Sequence, residues 1–229
     1  MNTNSNAYTI IYASVMVVIV AFLLAFVSSS LRGKQDENVR LDKMKQILSA
    51  LNVSTQGEDA AALYNNYVKQ DIIVNSNGGT IKESGGFDID IVREIARDPS
   101  ERELPVYVAD VNGATKYIIP LRGSGLWGPI WGYVALNDDK NTVYGTFFSH
   151  QGETPGLGAE IATEKFQAPF EGKHIMQNGQ LVSIAVVKPG KSVQGQDYVD
   201  GISGGTITSV AVENMLKDCL QMYNAFLTK

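Results

Sequence analysis

The hydrophobic pattern of this chain changes character twice along its length. Across residues 8–27 the apolar positions are nearly unbroken and leave no polar face, which predicts a helix that is apolar all round. Across residues 36–51 the pattern becomes amphipathic, with Met44, Ile47, Leu48 and Leu51 at helical spacing. A further helix is predicted over residues 58–68, after a Ser54-Thr55-Gln56-Gly57 loop with a capping signal. From Val106 onward the spacing shortens to that of strands, predicted over residues 105–108, 116–121, 130–136, 142–148 and 181–187. Turn sequences such as Asn112-Gly113 and Asn137-Asp138-Asp139 separate them, which favours hairpins and an antiparallel sheet. Helices are predicted near residues 159–166 and at the C-terminus, where Val212, Met215, Leu216, Cys219, Met222, Tyr223 and Phe226 recur every three or four residues.

The expected class is therefore α+β: a mostly antiparallel sheet flanked by helices, preceded by one N-terminal transmembrane helix. The expected organisation is an anchor over residues 1–31, a helical and loop segment over 32–104, and a sheet with its C-terminal helix over 105–229.

The anchor is argued from length and charge. No charged side chain occurs before Arg32, and an apolar run of about 20 residues at 1.5 Å each crosses the hydrocarbon of a bilayer. A cleaved signal peptide would carry a positive leading segment and a shorter apolar core. Arg32, Lys34, Arg40, Lys43 and Lys45 all follow the run, so flanking charge alone would keep the large domain in the cytoplasm, although long domains translocate despite it. No carboxylate lies within residues 8–27, so no sodium path is expected through this helix.

Composition then narrows the chemistry. A net charge of −5 with no basic stripe argues against nucleic acid as a partner. The single cysteine, Cys219, excludes an internal disulfide and a cysteine-held metal or iron–sulfur site, and the two histidines, His150 and His174, are far apart in sequence.

The segment with most chemical content is Asp200-Gly201-Ile202-Ser203-Gly204-Gly205-Thr206, a glycine-rich turn that runs into the C-terminal helix. Unpaired N–H groups and the positive end of the helix dipole favour an anion beside Thr206, and adjacent glycines let a phosphate approach the backbone. The same letters admit two other readings. Ser203, Thr206 or Thr208 can serve simply as an N-cap. Gly201-Ile202-Ser203-Gly204-Gly205 also satisfies G-x-S-x-G, the nucleophile elbow of serine hydrolases, but that motif wants a preceding strand and a later histidine, and both histidines come earlier.

Two upstream loops add to this. In Gly123-Ser124-Gly125-Leu126-Trp127-Gly128-Pro129-Ile130-Trp131-Gly132 glycines bracket two tryptophans, an arrangement that brings backbone and an aromatic face to a planar ligand, or sets one tryptophan as a core plug. In His150-Gln151-Gly152-Glu153-Thr154-Pro155-Gly156-Leu157-Gly158 a Pro-Gly turn precedes a helix and offers the Thr154 hydroxyl with backbone N–H groups.

The anchor, the G-x-G-L-W-G-P loop, the H-x-x-E-T-P-G-L-G loop and the terminal D-x-x-S-G-x-T run occur in this order over nearly the whole chain. In this the sequence resembles the C subunit of the sodium-translocating NADH:quinone oxidoreductase; the G subunit of the related electron-transport complex shares the flavin-binding domain and the acceptor motif. The resemblance implies covalent FMN, joined by a phosphoester to Thr206, with Asp200, Ser203, Gly204 and Gly205 in the stretch read by a flavin transferase. It implies that Thr154, Leu157 and the loop of Gly125, Leu126 and Trp127 lie against the flavin. It further implies one electron-transfer step in a sodium pump driven by NADH oxidation, fed from an iron–sulfur centre of membrane subunits and emptied to a second FMN on a neighbouring subunit. The expected location is the bacterial inner membrane, single-pass, with the soluble domain on the periplasmic face. Gly205 departs from the family, which usually has alanine there. A membrane-anchored serine hydrolase using Ser203, and a redox-inactive binding domain, are the competing classes.

Overall fold

A computed structural model describes residues 5–229. The chain divides into two compact units, one ending at Lys43 and the other running from Met44 to Lys229; residues 1–4, expected as the start of the anchor, lie outside the described residues. In the first unit helix α1 (Asn6–Ala50, which continues into the second) carries its apolar side chains exposed, Val17, Phe22 and Phe26 among them. It is long and apolar enough to cross a membrane.

The second unit is built on a six-stranded antiparallel sheet. In chain order it contains α2 (Ala60–Tyr67), β1 (Val68–Val74), β2 (Thr80–Lys82), α3 (Ile91–Ala96), β3 (Leu104–Val111), β4 (Ala114–Ser124), β5 (Pro129–Leu136) and β6 (Val143–His150). These are followed by α4 (Glu164–Gln167), β7 (Met176–Gln177), β8 (Gln180–Leu181), β9 (Ala185–Val187), β10 (Tyr198–Asp200), α5 (Thr206–Met222) and α6 (Asn224–Leu227). The large sheet has the order β2-β1-β3-β4-β5-β6. The β3–β4 hairpin closes on Asn112 and Gly113, both at positive φ (55° and 81°), the conformation that an Asn-Gly turn supplies at low cost.

Both faces of this sheet are covered, and the pleat decides which residue serves which face. Leu104, Val106, Ile119, Leu121, Ile130 and Val134 point to the side packed by Val212, Met215, Leu216 and Leu220 of α5. Tyr107, Ala109, Val111, Ile118, Tyr133 and Ala135 point to the other, where Ile47, Leu48 and Leu51 at the end of α1 pack with Tyr64 of α2. Helix α5 sits close to β4 because Gly123 has no side chain: a Cβ there would lie 2.8 Å from Cβ of Met215. Two polar contacts fix its far end. Cys219 Sγ accepts from the Arg122 backbone N–H at 3.3 Å, and the buried Tyr223 hydroxyl donates to the Pro105 carbonyl at 3.0 Å.

The structure differs from the sequence reading at three places. Residues 32–104, expected as helix and loop, supply two strands to the main sheet, since β1 and β2 are its first two. The strand β1 was hidden because Ile72, Ile73 and Val74 are all buried, so a sheet packed on both faces erases the alternation that marks a strand. The strand expected over residues 181–187 is broken: Ser183 lies at φ 65°, and the N–H groups of Val182 and Ser183 both donate to the Ile175 carbonyl. The helix expected near residues 159–166 is a 3₁₀ turn (Gly158–Ala162) followed by the single turn of α4.

Burial pushes the Cys219 thiol up to about 11 from an ordinary 9.0, against a smaller lowering by its contact with Arg122. A thiol that is harder to ionise in the folded chain stabilises it below pH 9, and that contribution is lost as the pH rises through 9 towards 11. Urea unfolding is therefore expected to show stability falling over this window more steeply in the wild type than in Cys219→Ala, and thiol reagents at pH 8 to label Cys219 only after unfolding.

Candidate functional site

Helix α5 begins without a side-chain cap. Its N-cap residue is Gly205, at φ −107° and ψ 33°, and among the described residues no side-chain cap bonds the first N–H groups. Thr206 opens the helix as an exposed residue. The turn before it is held by Ser209, whose hydroxyl accepts from the Ile202 N–H at 2.9 Å and donates to the Gly205 carbonyl at 2.9 Å. Gly204 needs to be glycine: it lies at φ +78°, and a Cβ would press on Cδ2 of Leu157 at 2.8 Å. At Gly205 a Cβ would meet Cγ2 of Ile202 at 3.0 Å, so glycine in this position gives the β-branched Ile202 its room.

Thr206 lies between two cavities. One of about 260 Å³ is lined by Leu126 and Trp127 from the β4–β5 hairpin, Glu153, Thr154, Leu157 and Gly158 from the loop after β6, and residues 204–208 at the start of α5. The other, of about 110 Å³, brings Lys188 and Pro189 after β9 to the same threonine. The first offers apolar surface, since Trp127 is 67% exposed and Leu126, Leu157 and Ile207 are also open. The second offers a cation beside a helix N-terminus, a combination that suits an anion.

A buried carboxylate joins the walls of the larger cavity. Glu153, only 4% exposed, accepts from the Trp127 backbone N–H at 2.9 Å through Oε1 and from the Thr208 hydroxyl at 2.5 Å through Oε2. Its own N–H donates to His150 Nδ1 at 3.2 Å. Two glycines make space for it: a Cβ on Gly125 would lie 2.5 Å from Oε1, and a Cβ on Gly158 would overlap Oε2 and the Thr208 hydroxyl.

The residues singled out in the sequence distribute as follows. Leu126, Trp127, Thr154, Leu157, Gly204, Gly205 and Thr206 line one cavity, while Gly125 stands behind it against Glu153. Asp200 ends β10 and Ser203 sits on the exposed turn; neither lines this cavity. The two tryptophans diverge, for Trp131 donates through Nε1 to Gln46 at 3.2 Å with Arg122 over its ring, and neither plugs the core. The sequence assigned Glu153, Gly158 and Ile207 no part in the site and Thr208 only that of an N-cap candidate; the fold brings the first two against the start of α5.

A short strand, β10, does precede the turn, paired in parallel with β9. The elbow nevertheless lacks its base. His174 is engaged with Asp197 at 3.0 Å and His150 with Glu153, and Ser203 makes no hydrogen bond with either ring among the described residues. Burial raises the Asp197 pKa, but the hydrogen bonds from His174 outweigh it and hold the carboxyl below its ordinary value.

Residues 125–221, which contain the tip of the aromatic hairpin and the open helix end, match the family model of an FMN-binding domain. The chain belongs to the family formed by the C subunits of the Na(+)-translocating NADH-quinone reductase. It is 30% identical to that subunit of Vibrio alginolyticus over 86% of this chain and 83% of the relative, and 29% identical to that of Haemophilus ducreyi over 94% and 90%. The crystal structure of the corresponding subunit from Parabacteroides distasonis superposes with a TM-score of 0.81 at 51% identity, covering 87% of this chain and 98% of the other. The NqrC structure of Shewanella oneidensis, at 24% identity and a TM-score of 0.67, shares the fold.

The glycine next to the carboxylate gives a direct test of this packing. Gly158→Ala is expected to cost about 1–3 kcal/mol in urea unfolding by forcing Glu153 and Thr208 apart. Gly152→Ala, whose Cβ would meet nothing closer than the Trp127 carbonyl at 3.8 Å, is expected to stay within about 0.5 kcal/mol of wild type.

Proposed function

We propose that this chain is the membrane-anchored electron carrier of a sodium-translocating NADH:quinone reductase, with FMN held covalently through a phosphoester to the Thr206 hydroxyl. The observation that carries the reading is the exposed Thr206 at an uncapped helix end, open to an apolar cavity on one side and to Lys188 on the other. The residues present fit the group. Free N–H groups at the start of α5 and the Lys188 ammonium suit a phosphate, while Trp127, Leu126, Leu157 and the Thr154 hydroxyl suit a flat ring with polar edges. Asp200, Ser203, Gly204 and Gly205 would form the sequence read by a flavin transferase.

When bound, FMN supplies the electron-transfer chemistry. The chain's own residues do the rest: α5 fixes the tether on a rigid platform, and Trp127 and Leu157 exclude water from one side of the cavity. Gly204 keeps Leu157 close enough to do so. A tether makes sense outside the cytoplasm, where a dissociated cofactor would be lost. The partners are the other subunits of the reductase, and residues 8–27 hold the chain in the bacterial inner membrane with the domain on the periplasmic face. Residues 1–31 serve as the anchor and 105–229 as the flavin-bearing part, with 32–104 joining them.

Intact mass spectrometry of the chain co-expressed with a flavin transferase tests the attachment. An added FMN mass is expected in the wild type and absent in Thr206→Val. A wild-type chain without it sinks the carrier and leaves the binding domain, and phosphonate labelling of Ser203 would favour the hydrolase. For orientation, protease added to intact spheroplasts is expected to degrade the domain; complete protection would put it in the cytoplasm.

A further inference from the structure

We propose that Glu153 is a positioning residue that sets the reduction potential of the flavin site, its buried negative charge opposing the arrival of electrons in the Thr206 cavity. The proposal rests on the reading of Thr206 as the attachment point for FMN.

Glu153 is the only charged side chain among the described residues lining the larger cavity. At 4% exposure it is poorly reached by water and salt, so its field is weakly screened. It is also fixed in place, with one oxygen on the Trp127 N–H, the other on the Thr208 hydroxyl, and Gly125 and Gly158 packed against it. Its two hydrogen-bond donors are neutral. Among the described residues no ion pair to Glu153 offsets the charge, and the nearby His150 ring bonds its backbone N–H instead.

A fixed anion in a poorly solvated wall raises the energy of any negative charge brought beside it, by an amount that grows as the effective dielectric falls. An electron that arrives without a compensating proton adds net negative charge to the cavity and meets that field in full. A flavin held here is therefore harder to reduce than it would be in a neutral cavity of the same shape, which suits a carrier that must pass its electrons on. Hydrogen bonding and burial next to a redox group are recognised means of setting its potential.

Charge and shape can be separated at this residue. In Glu153→Gln the amide oxygen still accepts from the Trp127 N–H, and the amide nitrogen donates to the Thr208 hydroxyl oxygen, so both contacts survive without the charge. In Thr208→Ala the charge stays but loses one of the donors that offset it. A merely structural role would move both variants in the same direction.

The test is a spectroelectrochemical titration of the full-length, FMN-loaded chains, with intact mass measured on each. Wild type and both variants are expected to carry the adduct, with the midpoint potential raised in Glu153→Gln and lowered in Thr208→Ala. Equal potentials in loaded wild type and Glu153→Gln overturn the proposal alone, as does a shift of both variants in one direction or a folded Glu153→Gln chain without adduct. A wild-type chain without adduct overturns the attachment reading and this proposal with it. Where Glu153→Gln fails to fold, the lowered potential of Thr208→Ala supports the proposal, and an unchanged or raised one overturns it.

Discussion

The site depends on one buried carboxylate and the two donors that hold it. Glu153 ties the tip of the β4–β5 hairpin, through the Trp127 N–H, to the first turn of α5, through the Thr208 hydroxyl. These segments are far apart in sequence and, among the described residues, share no backbone hydrogen bonds that would align them. A charged group left without partners in the interior is costly, so each donor constrains the carboxylate and is constrained by it. Gly125 and Gly158 follow from the same contact, because a side chain at either would occupy the space of the carboxylate.

What makes that contact sharp enough to matter is the rigidity behind it. Helix α5 is buried along one face against β4, anchored near its end by Cys219 on Arg122 and by Tyr223 on Pro105. Its N-terminus emerges from this packing with Gly205 buried and Thr206 exposed. The polypeptide thus combines a fixed helix axis with an accessible hydroxyl, whereas a threonine on a mobile loop would offer access without direction.

Much of this was legible in the sequence, for reasons that differ by element. The hairpins β3–β4 and β4–β5 announced themselves through alternation and Asn112-Gly113, and α5 through its apolar stripe, because each is half-buried in a regular way. Strand β1 did not, since Ile72, Ile73 and Val74 are buried on both faces and carry no period. The break at Ser183 depends on a positive φ that serine gives no warning of. In the site, the glycine-rich turns drew attention to Thr206 and Trp127 and the resemblance added Leu157, and the fold places all three on one cavity. Glu153 stood within the loop of residues 150–158 yet gave no sign of burial, because what encloses it includes Gly125 and the Thr208 hydroxyl from other segments.

The helix end itself shows a trade between stability and chemistry. A serine, threonine, aspartate or asparagine at the N-cap stabilises a helix by about 1 kcal/mol relative to alanine, through a side-chain bond to the first N–H groups. This chain has Gly205 there and leaves those groups free, although Ser203 and Thr206 stand within three residues of it. Ser209 instead turns its hydroxyl backward to the Gly205 carbonyl and the Ile202 N–H, so it stiffens the turn without closing the helix end. With Glu153 buried on one side and Lys188 exposed on the other, the field across Thr206 runs from negative to positive. An anion attached at that hydroxyl, as proposed, would be steered towards Lys188, which would leave the apolar cavity beside Trp127 for whatever the anion carries.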